Sequence, residues 1–293
     1  MTISMTVCRD SALKHFERTC KNYHESVKNL YEGVIFVDTM LGDIVKEVRD
    51  ILDNNGLRHW EIVTSNEVLD EWRKVNYNSE SVLSNYKGRM LILMDWYLVK
   101  ILKVDKVLIL EEDVLILSDI KSIFDKNNCA VFQTIQGAGP FDMDLGETER
   151  VRLQNLFQVC GVEFKYTNYL GRFHLPRCFG SPRYLVADSM DIDYYEKCLI
   201  RLDNSDFFLN ELTKSTAWHC HNLDERFHTV VLSAKKLDLL NPYVRQVCQK
   251  VHKITDSTIN SIKRLSKPLV HLCIKDKDGI YKLFIDKGVI TDG

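Results

Sequence analysis

Lys106-Val-Leu-Ile-Leu-Glu-Glu-Asp-Val-Leu-Ile-Leu-Ser-Asp-Ile120 is the stretch whose reading decides the fold. Its first part, Val107 to Leu110, is an unbroken apolar run, as a strand covered on both faces must be. The run stops at Glu111-Glu112-Asp113 and resumes as Val114 to Leu117, so three acids stand beside a hydrophobic core. In an open parallel sheet the carboxyl ends of the strands form the ligand crevice, and acids that follow such a strand open into it. Like charges crowded in a partly desolvated place repel, and one of them stays protonated unless a cation compensates. Hard oxygen ligands suit Mg²⁺ or Mn²⁺, which leave positions free for phosphate oxygens. In an extended segment Glu111 and Asp113 share one side and Glu112 faces the other, which makes the first and third acids the expected ligands. The competing reading is a solvated acidic turn, although the flanking runs are too apolar for an exposed hairpin.

Upstream, strand and helix patterns alternate. Thr2 to Cys8 reads as a strand, and Asp10 or Ser11 can cap one helix whose apolar positions Leu13, Phe16, Cys20, Tyr23, Val27 and Leu30 share a face. A second strand, Gly33 to Asp38, leads to a helix that buries Ile44, Val45, Val48, Ile51 and Leu52 and stops at Gly56. Glu61 to Thr64 is a third strand, and Tyr86 to Leu102 reads as a helix entering the strand Lys106 to Leu110. This alternation predicts an α/β fold, Rossmann-like, with a mixed, mostly parallel central sheet and helices on both faces. Gln136 to Gly146, with its glycines and proline, is the expected loop at any sub-domain boundary.

Composition narrows the function. Apolar residues make up 45% and charged residues 27%, with a net charge of −2, so the overall field gives no reason to expect nucleic acid or an anionic membrane as a partner. Nine scattered cysteines without a CxxC pair argue against a disulfide framework or a zinc ribbon. No apolar run approaches the ~20 residues of a membrane span, and the start Met-Thr-Ile-Ser lacks the basic residues of a signal peptide, so a cytoplasmic protein is expected.

The Lys106 to Ile120 segment resembles the metal-binding strand of GT-A glycosyltransferases, above all glycosyltransferase family 8, the group of glycogenin and the lipopolysaccharide galactosyltransferases. There an Asp-x-Asp triplet occupies this place, and Glu111 departs from it by one extra methylene. The resemblance extends to Pro268-Leu-Val-His271-Leu-Cys-Ile-Lys-Asp-Lys277, similar to the family's C-terminal His-x-x-Gly-x-x-Lys, with Ile274 where the glycine would stand. It implies that His271 is the third metal ligand and that Lys277 contacts the diphosphate; a strand-ending histidine can equally be structural. Cys178 to Val186 resembles the family's Phe-Asn-Ser-Gly strand, which puts Gly180 and Ser181 beside the donor sugar. Asn204 to Asn210 resembles its Asp-Gln-x-x-Leu-Asn helix start, which puts Asp206 near the anomeric carbon, with a helix N-cap as the competing role. Arg89 matches a basic residue that helps to hold the donor, or is an exposed helix arginine.

The resemblance therefore implies one GT-A domain over residues 1–293, with a nucleotide-binding half over about 1–135 and an acceptor-side half over about 136–293. Thr6, Arg9 and Asp10, at the end of the first strand, are expected at the nucleotide base, with Arg89, Glu112, Gly180 and Ser181 as further donor contacts. Glu111, Asp113 and His271 are the expected ligands of Mn²⁺ or Mg²⁺. The implied reaction is sugar transfer from a nucleoside-diphosphate sugar, a UDP-sugar by preference, to a hydroxyl, with retention. Neither charge nor motif chooses among a glycan, a protein, a lipid sugar or a modified base in DNA as acceptor. A nucleotidyltransferase shares this core but carries a glycine-rich, lysine-bearing loop after the first strand, and Cys8-Arg9-Asp10-Ser11 is not one. A catalytically silent carbohydrate-binding or scaffold protein of the same fold is the third reading. Literal Asp-x-Asp triplets at Asp142/Asp144, Asp191/Asp193 and Asp276/Asp278 follow no buried strand and read as surface turns or helix starts, and His219-Cys220-His221 lacks further ligands nearby.

Overall fold

Strand β4 (Lys106–Leu110) lies in the middle of a seven-stranded sheet, with Val107 to Leu110 buried. The computed structural model describes residues 1–7, 10–39, 42–77, 83, 89–132, 155–162, 167–169, 172–174, 182–205, 223–232, 237–248, 256–265, 267–273 and 277–291. Ahead of β4 come β1 (Thr2–Val7), α1 (Asp10–Lys21), α2 (Glu25–Leu30), β2 (Glu32–Val37), α3 (Val45–Asn54), β3 (Glu61–Thr64), α4 (Ser65–Val75) and α5 (Arg89–Trp96). After it come β5 (Val114–Ile116), α6 (Lys121–Phe124), β6 (Ala130–Val131), the hairpin β7 (Thr167–Tyr169) and β8 (Arg172–His174), β9 (Arg183–Val186) and α7 (Ile192–Asp203). The chain continues through α8 (Leu223–Leu232), β10 (Asp238–Leu239), β11 (Val244–Cys248), α9 (Asp256–Leu265), β12 (Leu269–Cys273) and α10 (Lys277–Asp286).

The large sheet runs in the order β10-β6-β9-β4-β1-β2-β3. Its β4-β1-β2-β3 portion is parallel throughout, as the alternation of strands and helices predicts, and β9 is antiparallel to both β4 and β6. Strand order reverses at the β1/β4 junction, because the chain first grows outward through β2 and β3 and then returns to add β4 on the other side. Both faces of β1 and β4 are buried, which requires cover on each side of the sheet. A second, three-stranded sheet, β11-β12-β5, has its own apolar cluster of Leu115, Val270, Leu272, Ile280 and Phe284 with their neighbours.

Three local readings are corrected. The apolar face expected from Leu13 to Leu30 is split between two helices and ends at Val27, with Tyr23 in the break and Leu30 exposed: the chain breaks at Asn22 to His24, where His24 N–H donates to Ile116 O at 3.0 Å and the His24 ring caps α2 by accepting from Ser26 N. That pairing with β5 and the cap outweigh a helical pattern that contains neither glycine nor proline. The helix read to Leu102 is α-helical only to Trp96 and continues as a wider π-turn over Tyr97–Ile101, closed by Leu102 N–H to Tyr97 O. Asp278 stands in the first turn of α10 rather than in a loop, where Lys14 and Arg18 pair with it. Asp191 caps α7 by accepting from Tyr194 N. Asp142, Asp144, Asp276 and the 219–221 triplet lie outside the described residues.

One buried ion pair fixes β9 against α5. The Arg183 guanidinium grips the Asp95 carboxylate through Nε and a second nitrogen, and His228 Nε2 lies 3.1 Å from the same carboxylate. Burial on its own raises the Asp95 pKa, but Arg183 and then His228 outweigh it and hold the group at about 2. Replacing Arg183 with Met should cost about 3–5 kcal/mol in urea unfolding, because it leaves a buried carboxylate without its main partner. At Gly33 of β2 a methyl group would fall 1.8 Å from Trp60 Cδ2, so Gly33→Ala should lower stability by about 1–3 kcal/mol in the same measurement.

Candidate metal centre

The chain leaves the large sheet at Leu110 and enters the small one at Val114, and the three acids occupy the link. The link is a tight turn, closed by Val114 N–H donating to Glu111 O at 3.1 Å, and not the extended segment expected. Thr19 of α1 donates its hydroxyl to Glu112 O at 2.7 Å, and Tyr281 OH lies 3.3 Å from that hydroxyl, so α1 and α10 both brace the turn.

Strand β12 supplies the imidazole. It pairs antiparallel with β5, so that His271 stands opposite Val114, and Leu272 N–H donates to Asp113 O at 3.1 Å. The ring is 7% exposed, with Nε2 3.5 Å from Asp113 Oδ1 and 3.7 Å from Glu111 Oε2. One ligand atom from each of Glu111, Asp113 and His271 lies within 4.8 Å of the others. Asp113 Oδ1 and His271 Nδ1 are buried without a hydrogen-bond partner. Such atoms cost stability unless something satisfies them, and two carboxylates with one imidazole form a donor set that fits Mn²⁺, or Mg²⁺ with more water.

Lys277, at the start of α10, places Nζ 2.8 Å from Asp113 Oδ2 and 3.8 Å from Glu112 Oε1. These charges reset one another. Burial raises the Glu112 pKa first, Asp113 and Glu111 add to it against Lys277, and the group is pushed up to about 7. Burial lowers His271, but Asp113 and Glu111 together outweigh it, so its pKa rises above 6.5. Lys277 is raised in the same way, with Asp113 and the neighbouring acids overcoming burial.

The structure thus brings together Glu111, Glu112, Asp113, His271 and Lys277. Thr6 is 3% exposed and donates its hydroxyl to Met94 Sδ at 3.1 Å, inside the core. Asp10 and Arg89 begin α1 and α5, and their side chains, like Arg9, Gly180, Ser181 and Asp206, lie outside the described residues. Of the Cys178 to Val186 segment, Arg183 to Val186 form β9, where Arg183 pairs with Ile109 two residues before Glu111. Sequence reasoning missed Thr19 and Tyr281, and also His15, whose ring stacks on Tyr281 with centroids 6.1 Å apart. The available signal was the i, i+4 spacing of His15 and Thr19 on one face of α1.

No family model matches the chain. A stretch of 139 residues, 46% of the chain, is 24% identical to oligophrenin-1 of Homo sapiens and, by the same figures, of Pongo pygmaeus, and spans 15% of that protein's length. Among solved structures, the galactosyltransferase LgtC in complex with donor and acceptor sugar analogues is 11% identical, with a TM-score of 0.45 over 93% of this chain and 87% of LgtC. Mouse xyloside xylosyltransferase 1 is 10% identical, with a TM-score of 0.46 over 93% of this chain and 98% of its own. The glycosyltransferase GlyE of Streptococcus pneumoniae TIGR4 is 11% identical, with a TM-score of 0.44 over 99% of this chain and 64% of GlyE. Among the described residues no helix is long and apolar enough to cross a membrane.

Glu112 and His271, both raised, bind more protons folded than unfolded around neutral pH, so stability falls as pH rises. In metal-stripped protein Glu112 should erode stability between about pH 4.5 and 7, and His271 should add to the loss above 6.5. Melting curves across this range should show the decline in the native sequence and a shallower one in Glu112→Gln; identical slopes would contradict the assignment.

Proposed function

We propose that the chain is a metal-dependent glycosyltransferase of the GT-A type, moving a sugar from a nucleoside-diphosphate sugar, with UDP as carrier, to a hydroxyl acceptor with retention. One observation carries the reading: Glu111, Asp113 and His271 meet beyond the carboxyl end of β4, at the point where strand order reverses, with Lys277 against the same acids. Open α/β sheets bind their ligands at such a switch point. The resemblance of Lys106 to Ile120 and of Pro268 to Lys277 to family 8 supports the same conclusion from the sequence.

Glu111, Asp113 and His271 would hold Mn²⁺ or Mg²⁺, whose chemistry there is to offset charge on the departing diphosphate. Lys277 adds an ammonium at the same end of the sheet, suited to the leaving group. The turn that carries the acids is braced by Thr19 and Tyr281, which keeps the carboxylates in place without reorganisation during the reaction. Arg9, Asp10, Arg89, Glu112, Gly180 and Ser181 are proposed donor contacts, and Asp206 is proposed to stabilise or attack the anomeric carbon. Thr6, turned into the core, would act by positioning the end of β1 rather than by touching the nucleotide. The acceptor is a glycan, a protein or another hydroxyl, with the nucleotide of the donor bound by the half of the chain up to about residue 135.

Calorimetric titration with UDP tests this directly. Binding should require Mn²⁺, and a Glu111→Gln/Asp113→Asn double variant should lose it by more than about 100-fold while keeping its fold. UDP binding that ignores the metal, or a double variant with unchanged metal-dependent binding, would overturn the proposal. A scaffold of the same fold predicts no metal-dependent binding at all.

A further inference from the structure

The two oxygens of Asp113 face different partners. Oδ1 lies 3.5 Å from the His271 ring and accepts no hydrogen bond, whereas Oδ2 is held at 2.8 Å by the Lys277 ammonium. The Lys277 side chain is 18% exposed and also lies 3.8 Å from Glu112, so this cation, reaching from the start of α10, packs against the turn that would offer a metal its ligands. A dication at Oδ1 and an ammonium at Oδ2 would share one carboxylate at short range, and like charges in a partly desolvated place repel strongly.

From this geometry we propose that Lys277 is an internal counter-ion that competes with the divalent cation for Asp113, so that metal binding turns the lysine loose for an incoming anion. The inference rests on Glu111, Asp113 and His271 holding the metal, as proposed above. Its consequence is positive coupling between metal and anion, and linkage makes that coupling reciprocal. A different role would have Lys277 merely orient Asp113 as an outer partner of the metal ligand, in which case removing it weakens metal binding by about 10–100-fold. The two roles differ in sign, so binding alone separates them, without any turnover.

The experiment is titration of Mn²⁺ into metal-stripped protein, followed by the electron paramagnetic resonance of free Mn²⁺, for the native sequence, K277M and K277R. K277M should bind Mn²⁺ about 10-fold more tightly than the native sequence, because a competing like charge is gone, whereas K277R should stay close to native. If K277M does not fold by circular dichroism, K277Q takes its place. Equal or weaker binding by the neutral variant overturns the competition and leaves the metal site standing. Tightening in K277R as large as in K277M also overturns it, because the charge is then irrelevant. Saturable Mn²⁺ binding by none of the three proteins overturns both this inference and the metal reading beneath it.

Discussion

Strand β12 must lie on β5 in one register for the site to exist. That register sets His271 opposite Val114 and lets Leu272 N–H reach Asp113 O, so the imidazole arrives beside the acids as a by-product of backbone pairing. A slip by one residue would turn His271 to the other face of the strand. The register is in turn held by the apolar cluster on one side of the small sheet, where Leu115, Val270 and Leu272 are buried together. Packing in the small sheet thus decides the chemistry at the mouth of the large one.

Acidic charge is handled in two contrasting ways in this molecule. Asp95 is buried completely, and Arg183 and His228 satisfy it so well that its pKa falls to about 2; it is a fixture. The Glu111 to Asp113 turn has three carboxylates and, nearby, one lysine and one histidine; Glu112 is pushed up to about 7 and Asp113 Oδ1 is left without a hydrogen bond. The first arrangement is complete in itself, whereas the second is short of positive charge. A deficit held in place by well-packed strands fits a divalent cation.

Much of the fold was legible because burial on both faces forces strands to be continuous apolar runs, and Val107 to Leu110 is one. The parallel order of β4, β1, β2 and β3 follows from the strand and helix alternation in the same way. The break between α1 and α2 was not legible, since it is caused by a hydrogen bond from His24 to Ile116, a residue far along the chain. The proximity of Glu111 to Asp113 was expected from an extended backbone and is instead produced by a turn. His271 emerged only through the family resemblance, because spacing within one strand says nothing about which strand it will face. Thr19 offered only its spacing from His15 and Tyr281 offered nothing, because their role is to hold a backbone carbonyl and each other, which no motif records.

The acid turn also links the two sheets through shared packing, with Leu110, Val114 and Ile116 in one hydrophobic cluster and Leu115 turned into the other. Such a short tether has little slack, so the distances among the three ligands are geared to the relative seating of the two sheets. A substitution that reseats either sheet would therefore move Glu111, Asp113 and His271 relative to one another.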